Sequence, residues 1–198
     1  METAQATDNT TMPLPTQPTP NLLTQWLADE QRVDAVLKGG VGSGVATRAQ
    51  TAGKTGLQFL QAMLRGEMPS PPMAQTLDFM LIAVGDGSAV FQGTPKASHY
   101  NPLGSVHGGW FATLLDSALG CAVHTMMPVG RTYTTAELSV NLVRAITTDV
   151  PRVRAEARVV HCGRQLATAD ARLVGPDGKL YAHATTTCLV FEIPGARS

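Results

Sequence analysis

The segment HGGWFATLLDSALGCAV, from His107 to Val123, constrains the fold more than any other part of the chain. Set out at 100° per residue, Phe111, Leu114, Leu115, Ala118, Leu119 and Ala122 gather on one side, the stripe of a helix that buries one face. The segments around this helix carry the other period. LDFMLIAV (77–84), the turn GDG and SAVFQGTP (88–95) read as a hairpin. TYTTAELSVNLVRA (132–145) puts Leu138, Val140 and Leu142 on one face and Glu137, Ser139 and Asn141 on the other. In RVRAEARVV (152–160), Val153, Ala155, Ala157 and Val159 oppose Arg152, Arg154, Glu156 and Arg158. Turns at Cys162-Gly163 and Gly175-Pro-Asp-Gly178 lead into RQLATADARLV and KLYAHATTTCLVFE. Connections this short imply antiparallel pairing, and the last four strands read as a meander. One long helix against one curved sheet of about six strands is an α+β, two-layer unit.

The amino-terminal third is different. Residues 1–20 hold prolines at 13, 15, 18 and 20 and few apolar side chains, so they read as a disordered tail. Residues 21–72 read as a helical arm and linker. A helix is expected over Leu22–Leu37 and a shorter one over Leu57–Leu64, separated by a glycine-rich connector over 39–56 and ended by the prolines from Pro69 to Pro72. Residues 73–193 form the main domain.

With 15 Lys+Arg against 15 Asp+Glu the net charge is zero, which gives no bulk electrostatic case for nucleic acid or an anionic membrane. Cys121, Cys162 and Cys188 are odd in number and far apart, as expected of reduced thiols rather than disulfides or a metal cluster. No apolar run approaches a membrane span and the start has no signal-peptide pattern, so a cytoplasmic protein without a membrane partner is expected.

Two features of the central helix point to chemistry. Asp116 lies more than a hundred degrees from the apolar stripe, on a flank formed by Gly109, Ala112, Thr113, Gly120 and Val123, where small side chains let a ligand approach. A solvated surface acid would occupy the same place. At the helix start, Gly108 and Gly109 leave backbone N–H groups open to a developing oxyanion, though the pair could equally serve only a tight turn. Gly108 and Asp116 stand eight residues apart, about 12 Å along the axis, too far to serve one carbonyl. If both act, a second, antiparallel copy of the helix must bring its acid beside the first copy's N-terminus, giving a two-fold dimer with two sites.

The segment Asn101-x-x-Gly104-x-x-His107-Gly108-Gly109 followed by Asp116 resembles the signature of hotdog-fold acyl-CoA thioesterases of the phenylacetate-degradation, PaaI-like type. The likeness runs from about Leu57 to Phe191 through YTTAELSVNLVRA, HCGRQLATADARL and DGKLYAHATTTCLV. It implies a hotdog fold and hydrolysis of an aryl- or medium-chain acyl-CoA at a dimer interface, with dimers able to pair into tetramers. No cofactor is implied, since coenzyme A is part of the substrate. By the resemblance, Gly108 N–H polarises the thioester carbonyl while Asn101 and His107 shape that end, and Asp116 of the partner serves as general base or nucleophile. Thr135, or Thr134 if the register slips by one, orients water. Gly109, Arg144, His161, Gly163 and Arg164 face coenzyme A. Ala145 stands where many relatives have proline after NLVR.

Other signals fail on spacing. AGKT at 52–55 has Arg48 where a phosphate loop needs glycine, and Gly40, Gly42 and Gly44 do not make a dinucleotide fingerprint. There is no G-x-S-x-G elbow and no paired-histidine metal spacing, so no catalytic metal is expected. Cys121 reads as a small core residue, and Trp110 and Thr113 as walls of an acyl pocket together with the arm. The competing readings are a hotdog hydratase or dehydratase and a non-catalytic acyl-CoA sensor.

Overall fold

A computed structural model describes residues 21–194; the tail expected over 1–20 lies outside them. The elements in chain order are α1 (Leu22–Gly39), α2 (Arg48–Thr51), α3 (Gly56–Leu64), α4 (Pro72–Thr76), β1 (Phe79–Gly85), β2 (Ser88–Gly93), α5 (Gly108–Thr125), β3 (Arg131–Leu142), β4 (Val153–Cys162), β5 (Leu166–Val174) and β6 (Leu180–Glu192). The two short helices α2 and α4 occupy stretches that read as connector and linker. Capping boxes at Thr47 and Thr55 explain where α2 and α3 start, each threonine accepting from the backbone N–H three residues on.

All six strands form one antiparallel sheet, ordered β1-β2-β4-β5-β6-β3. The four-strand meander is therefore corrected: β3 pairs with β6 at the far edge, and β4 pairs with β2. Ten residues, 143–152, join β3 to β4, too many for a tight hairpin and enough to cross the molecule.

The apolar stripe of α5 is the centre of the core. Phe111, Leu114, Leu115, Ala118, Leu119 and Ala122 are buried, against Phe91, Ala155, Ala171, Leu173 and Ala184 on the sheet's inner face. Alanines dominate that face on β4 and β5, which lets the sheet curve closely around the helix. This is the hotdog arrangement.

The arm wraps both sides of the sheet's β1 edge. On the inner side α3 meets the end of α5 with no clearance. Gly56 N–H donates to Met127 O at 2.9 Å, and a Cβ at position 56 would lie 1.7 Å from His124 O, so glycine is required there. On the outer side α1 lies over Gln92 and Arg154. Glu30 accepts from Gln92 Nε2 (2.7 Å) and Arg152 Nε (2.5 Å), Asp29 accepts from Arg154 Nη2 (2.8 Å), and the Arg154 guanidinium sits 4.7 Å over the buried Trp26 ring. The arginines that alternation assigned to the solvent side of β4 are thus covered at 152 and 154.

By contrast, β3 buries no residue fully. Its inward-facing Leu138 and Val140 are only partly covered, and Leu142 is 56% exposed. One edge of β3 carries no strand. Among the described residues, no helix is long and apolar enough to cross a membrane.

Candidate active site

The N-terminus of α5 singles out one backbone donor. His107 is the N-cap, and its Nδ1 accepts from Gly109 N–H at 2.9 Å, which fixes that nitrogen as unprotonated. Trp110 N–H donates to His107 O at 2.9 Å. Among the described residues, Gly108 N–H has no acceptor, so it is free to meet an oxyanion. Leu142 lies against Gly108, where a Cβ would come within 2.8 Å of Leu142 Cδ1. His107 thus holds its neighbour in place. Asn101 does the same for the preceding loop: its Oδ1 accepts from Leu103 N–H (2.8 Å) and its Nδ2 donates to Ser105 Oγ (3.2 Å).

Asp116 faces β3. Thr135 Oγ1 donates to Asp116 Oδ1 at 3.1 Å, while Thr134 is on the exposed outer face. A bulge between Thr135 and Glu137 disturbs the alternation here, which is why period alone leaves the register open by one. The surroundings of the acid are sulfur and phenol. Burial pushes the Cys121 thiol up to about 12, aided by Asp116, and burial also raises Cys188. Burial first, then Cys121, Cys188 and Asp116, holds the Tyr133 hydroxyl well above its ordinary value. Neither thiol is a nucleophile in this setting.

Sequence reasoning misses Tyr133, Cys188 and Leu142 as neighbours of the site. It also gives Gly120 no role beyond smallness. A Cβ at 120 would stand 2.5 Å from Tyr133 Oη, so this glycine, one turn beyond Asp116, admits the tyrosine and lets β3 lie close to the helix.

The remaining residues divide into two groups. Arg144 follows β3 at the Gly108 end, near Lys179 and Tyr181, and is exposed. His161, Gly163 and Arg164 form the β4–β5 turn at the other end, where Gly163 N–H donates to Leu166 O and Val190 N–H donates to Gln165 O. The register of β6 sets Val190 beside Tyr133, so about eleven residues of extended strand, roughly 36 Å, separate Arg144 from that turn. Within one chain they do not share a ligand.

One pocket expectation changes. Trp110 is buried, donates from Nε1 to Leu77 O at 2.8 Å and stacks on His99, so it is a core residue and not a pocket wall. Cys121, packed against the core, also borders a cavity of about 640 Å³ between the arm and β1, walled by Val33, Leu37, Met63, Leu64 and Phe79 and lined as well by charged residues such as Glu30, Asp34, Lys38 and Arg152. Thr113 remains on the open flank, its hydroxyl donating to Gly109 O. Among the described residues no cluster of His, Cys, Asp and Glu could hold a metal ion.

Comparison with known proteins follows from this geometry. A family model described as the thioesterase superfamily matches residues 103–182. A candidate esterase of Pseudomonas aeruginosa is 32% identical over 97 residues, 48% of this chain and 66% of that protein's length. Among solved structures, a candidate thioesterase from Ralstonia eutropha, a phenylacetic acid degradation-related protein, matches with a TM-score of 0.61 at 32% identity, covering 66% of this chain and 98% of that one. The phenylacetic acid degradation protein PaaI of Thermus thermophilus, in a mutant form, matches with a TM-score of 0.54 at 29% identity, covering 60% and 97%.

Proposed function

Because the chain belongs to the thioesterase superfamily, we propose that it is a homodimeric hydrolase that splits an aryl- or medium-chain acyl-CoA into free acid and coenzyme A. The observation that carries this reading is the division of labour along α5. A free N–H stands at Gly108, and an acid oriented by Thr135 stands about 12 Å further along the same rod. A two-fold pairing of β3 edges supplies the missing half of each site and covers Leu138, Val140 and Leu142.

In each site Gly108 N–H of one protomer holds the thioester oxygen, and Asp116 of the other takes a proton from water held beside Thr135. The hydroxide equivalent adds to the carbonyl carbon, and negative charge gathers on the oxygen at Gly108. The tetrahedral species then collapses, the C–S bond breaks, and the thiolate recovers the proton from Asp116. Direct attack by the Asp116 carboxylate, with an anhydride hydrolysed in a second step, uses the same atoms. The apolar wall of the cavity beneath the arm, formed by Val33, Leu37, Met63, Leu64 and Phe79, supports an acyl group there.

Two inactive variants test the shared site together. Asp116→Asn lowers thiol release by about 10²–10⁴-fold through loss of the base. Gly108→Pro removes the free N–H, by about 10²–10³-fold, at a first helical position where proline is tolerated. Refolded as an equal mixture, half of the dimers are mixed and each contains one intact site, so about a quarter of wild-type activity returns. A mixture as inactive as its parents rejects the shared site. Acyl-CoA binding by the wild type without thiol release would favour the sensor instead.

A further inference from the structure

The second large cavity, about 620 Å³, lies where the arm meets the far end of α5 and the start of β3. Its walls include Arg48, Lys54 and Arg131, and no carboxylate residue. Two of its polar groups are unpartnered: Arg131 Nε and His124 Nδ1 are buried atoms with no hydrogen-bond partner among the described residues. Among the described residues Lys54 Nζ forms no ion pair at contact distance, and Arg48 and Arg131 are each steadied through Nη2, which donates to Pro194 O and to Arg164 O respectively. Glu67 feels the charge of Lys54 but pairs directly with Arg65, and Glu192, across the strand from Arg131, forms no ion pair with it among the described residues. The N-terminus of α3 adds nothing, because Gly56 N–H already donates to Met127 O and Gln58 N–H to Thr55 Oγ1.

We propose that this cavity is a phosphate-binding site, with the Arg48, Lys54 and Arg131 cations and the His124 ring nitrogen closing on the phosphoryl oxygens. Buried donors without acceptors are uncommon, and two guanidinium groups with an ammonium around one concavity suit a dianion better than an apolar ligand. The segment AGKT contributes Gly53, Lys54 and Thr55 to these walls without the strand a phosphate loop needs, so the site is built from side chains rather than from a phosphate-loop cradle.

Two sources of phosphate fit. His124 stands eight residues beyond Asp116, about 12 Å along α5, and Arg131 four residues before Thr135, about 13 Å along β3. A pantetheine arm has the reach of about four extended residues, roughly 14 Å, so the nucleotide end of a coenzyme A thioester held at Asp116 comes to this cavity. That source rests on the proposed hydrolase reading; a separate phosphate effector does not.

Calorimetry on the full chain, with no turnover involved, measures inorganic phosphate and adenosine 3′,5′-bisphosphate as probes. Saturable binding of at least one is expected, weakened about tenfold in Lys54→Gln and in Arg48→Gln as one charge-assisted hydrogen bond is lost. Arg158→Gln, on the outer face of β4, leaves it unchanged. Displacement by intact coenzyme A assigns the cavity to the substrate; undisturbed binding beside coenzyme A assigns it to an effector. If neither probe binds the wild type, or if binding ignores both substitutions, the site is refuted, whatever the thioesterase assay shows. Retained phosphate binding in a chain that releases no thiol leaves this site standing and removes the hydrolase.

Discussion

Gly120→Ala tests how closely β3 must approach α5. The added methyl would sit 2.5 Å from Tyr133 Oη, about 1 Å inside ordinary contact. In a helix, alanine gains about 1 kcal/mol over glycine, while overpacking costs about 1–3 kcal/mol, so the net loss of stability is about 0–2 kcal/mol. For a chain of this length that lowers Tm by at most about 8 °C. Activity should fall further. Tyr133 and Thr135 lie on the same face of the same edge strand, and backing that strand off by about 1 Å carries the 3.1 Å bond to Asp116 past hydrogen-bond range. Loss of a hydrogen bond to a charged group is worth about 1.5–3 kcal/mol, or roughly 10- to 150-fold in kcat. The assay is thiol release with a saturating acyl-CoA, read beside thermal melting. Adding Tyr133→Phe removes the clashing oxygen and leaves ring atoms no closer than 3.3 Å, so the double variant recovers most of the rate. A single variant as fast as wild type, or a double variant as slow as the single, refutes the reasoning.

Three further outcomes are expected. Thr135→Val lowers kcat about tenfold or more while Thr134→Val, on the exposed face, leaves it unchanged; equal effects would move the water-orienting role off Thr135. Trp26→Ala removes the buried side chain under Arg154 and costs the arm about 3–5 kcal/mol, which limited proteolysis detects as cutting within residues 39–47 while the sheet stays intact. Burial holds His124 below its ordinary 6.5, so the unfolded chain takes up that proton first; the neutral ring's contribution is complete above pH 6.5 and is lost as pH falls. Urea midpoints at about pH 7.5 and 5.5 should therefore converge in His124→Gln relative to wild type.

What period encodes was readable, and what pairing encodes was not. The stripe from Phe111 to Ala122 and the alternation of Val153, Ala155 and Ala157 came through because burial of one face repeats at 3.6 and 2 residues. The neighbours of β3 did not, since alternation says which face is inside and nothing about which strand lies alongside. Leu142 reads as inward and is inward, yet it stays 56% exposed. At the site, the eight-residue gap between Gly108 and Asp116 was legible as a distance along a helix. The contacts of Gly120 with Tyr133 and of Asp116 with Thr135 depend on how strand and helix dock, which no local pattern records.

The seam between Gly56 and the end of α5 has a consequence for how the molecule can be trimmed. There, main chain abuts main chain, whereas the body of α1 grips the sheet largely through side chains and charge, with its end tied to Gly66 by main chain. Mild salt or chaotrope should peel the outer helix away while the inner one stays welded. A gene shortened to begin just before Gly56 keeps all six strands and α5 but gives up the α1 wall of the cavity, whereas one cut down to residues 103–182 loses β1, β2 and most of β6 and leaves the rod without a wrapper.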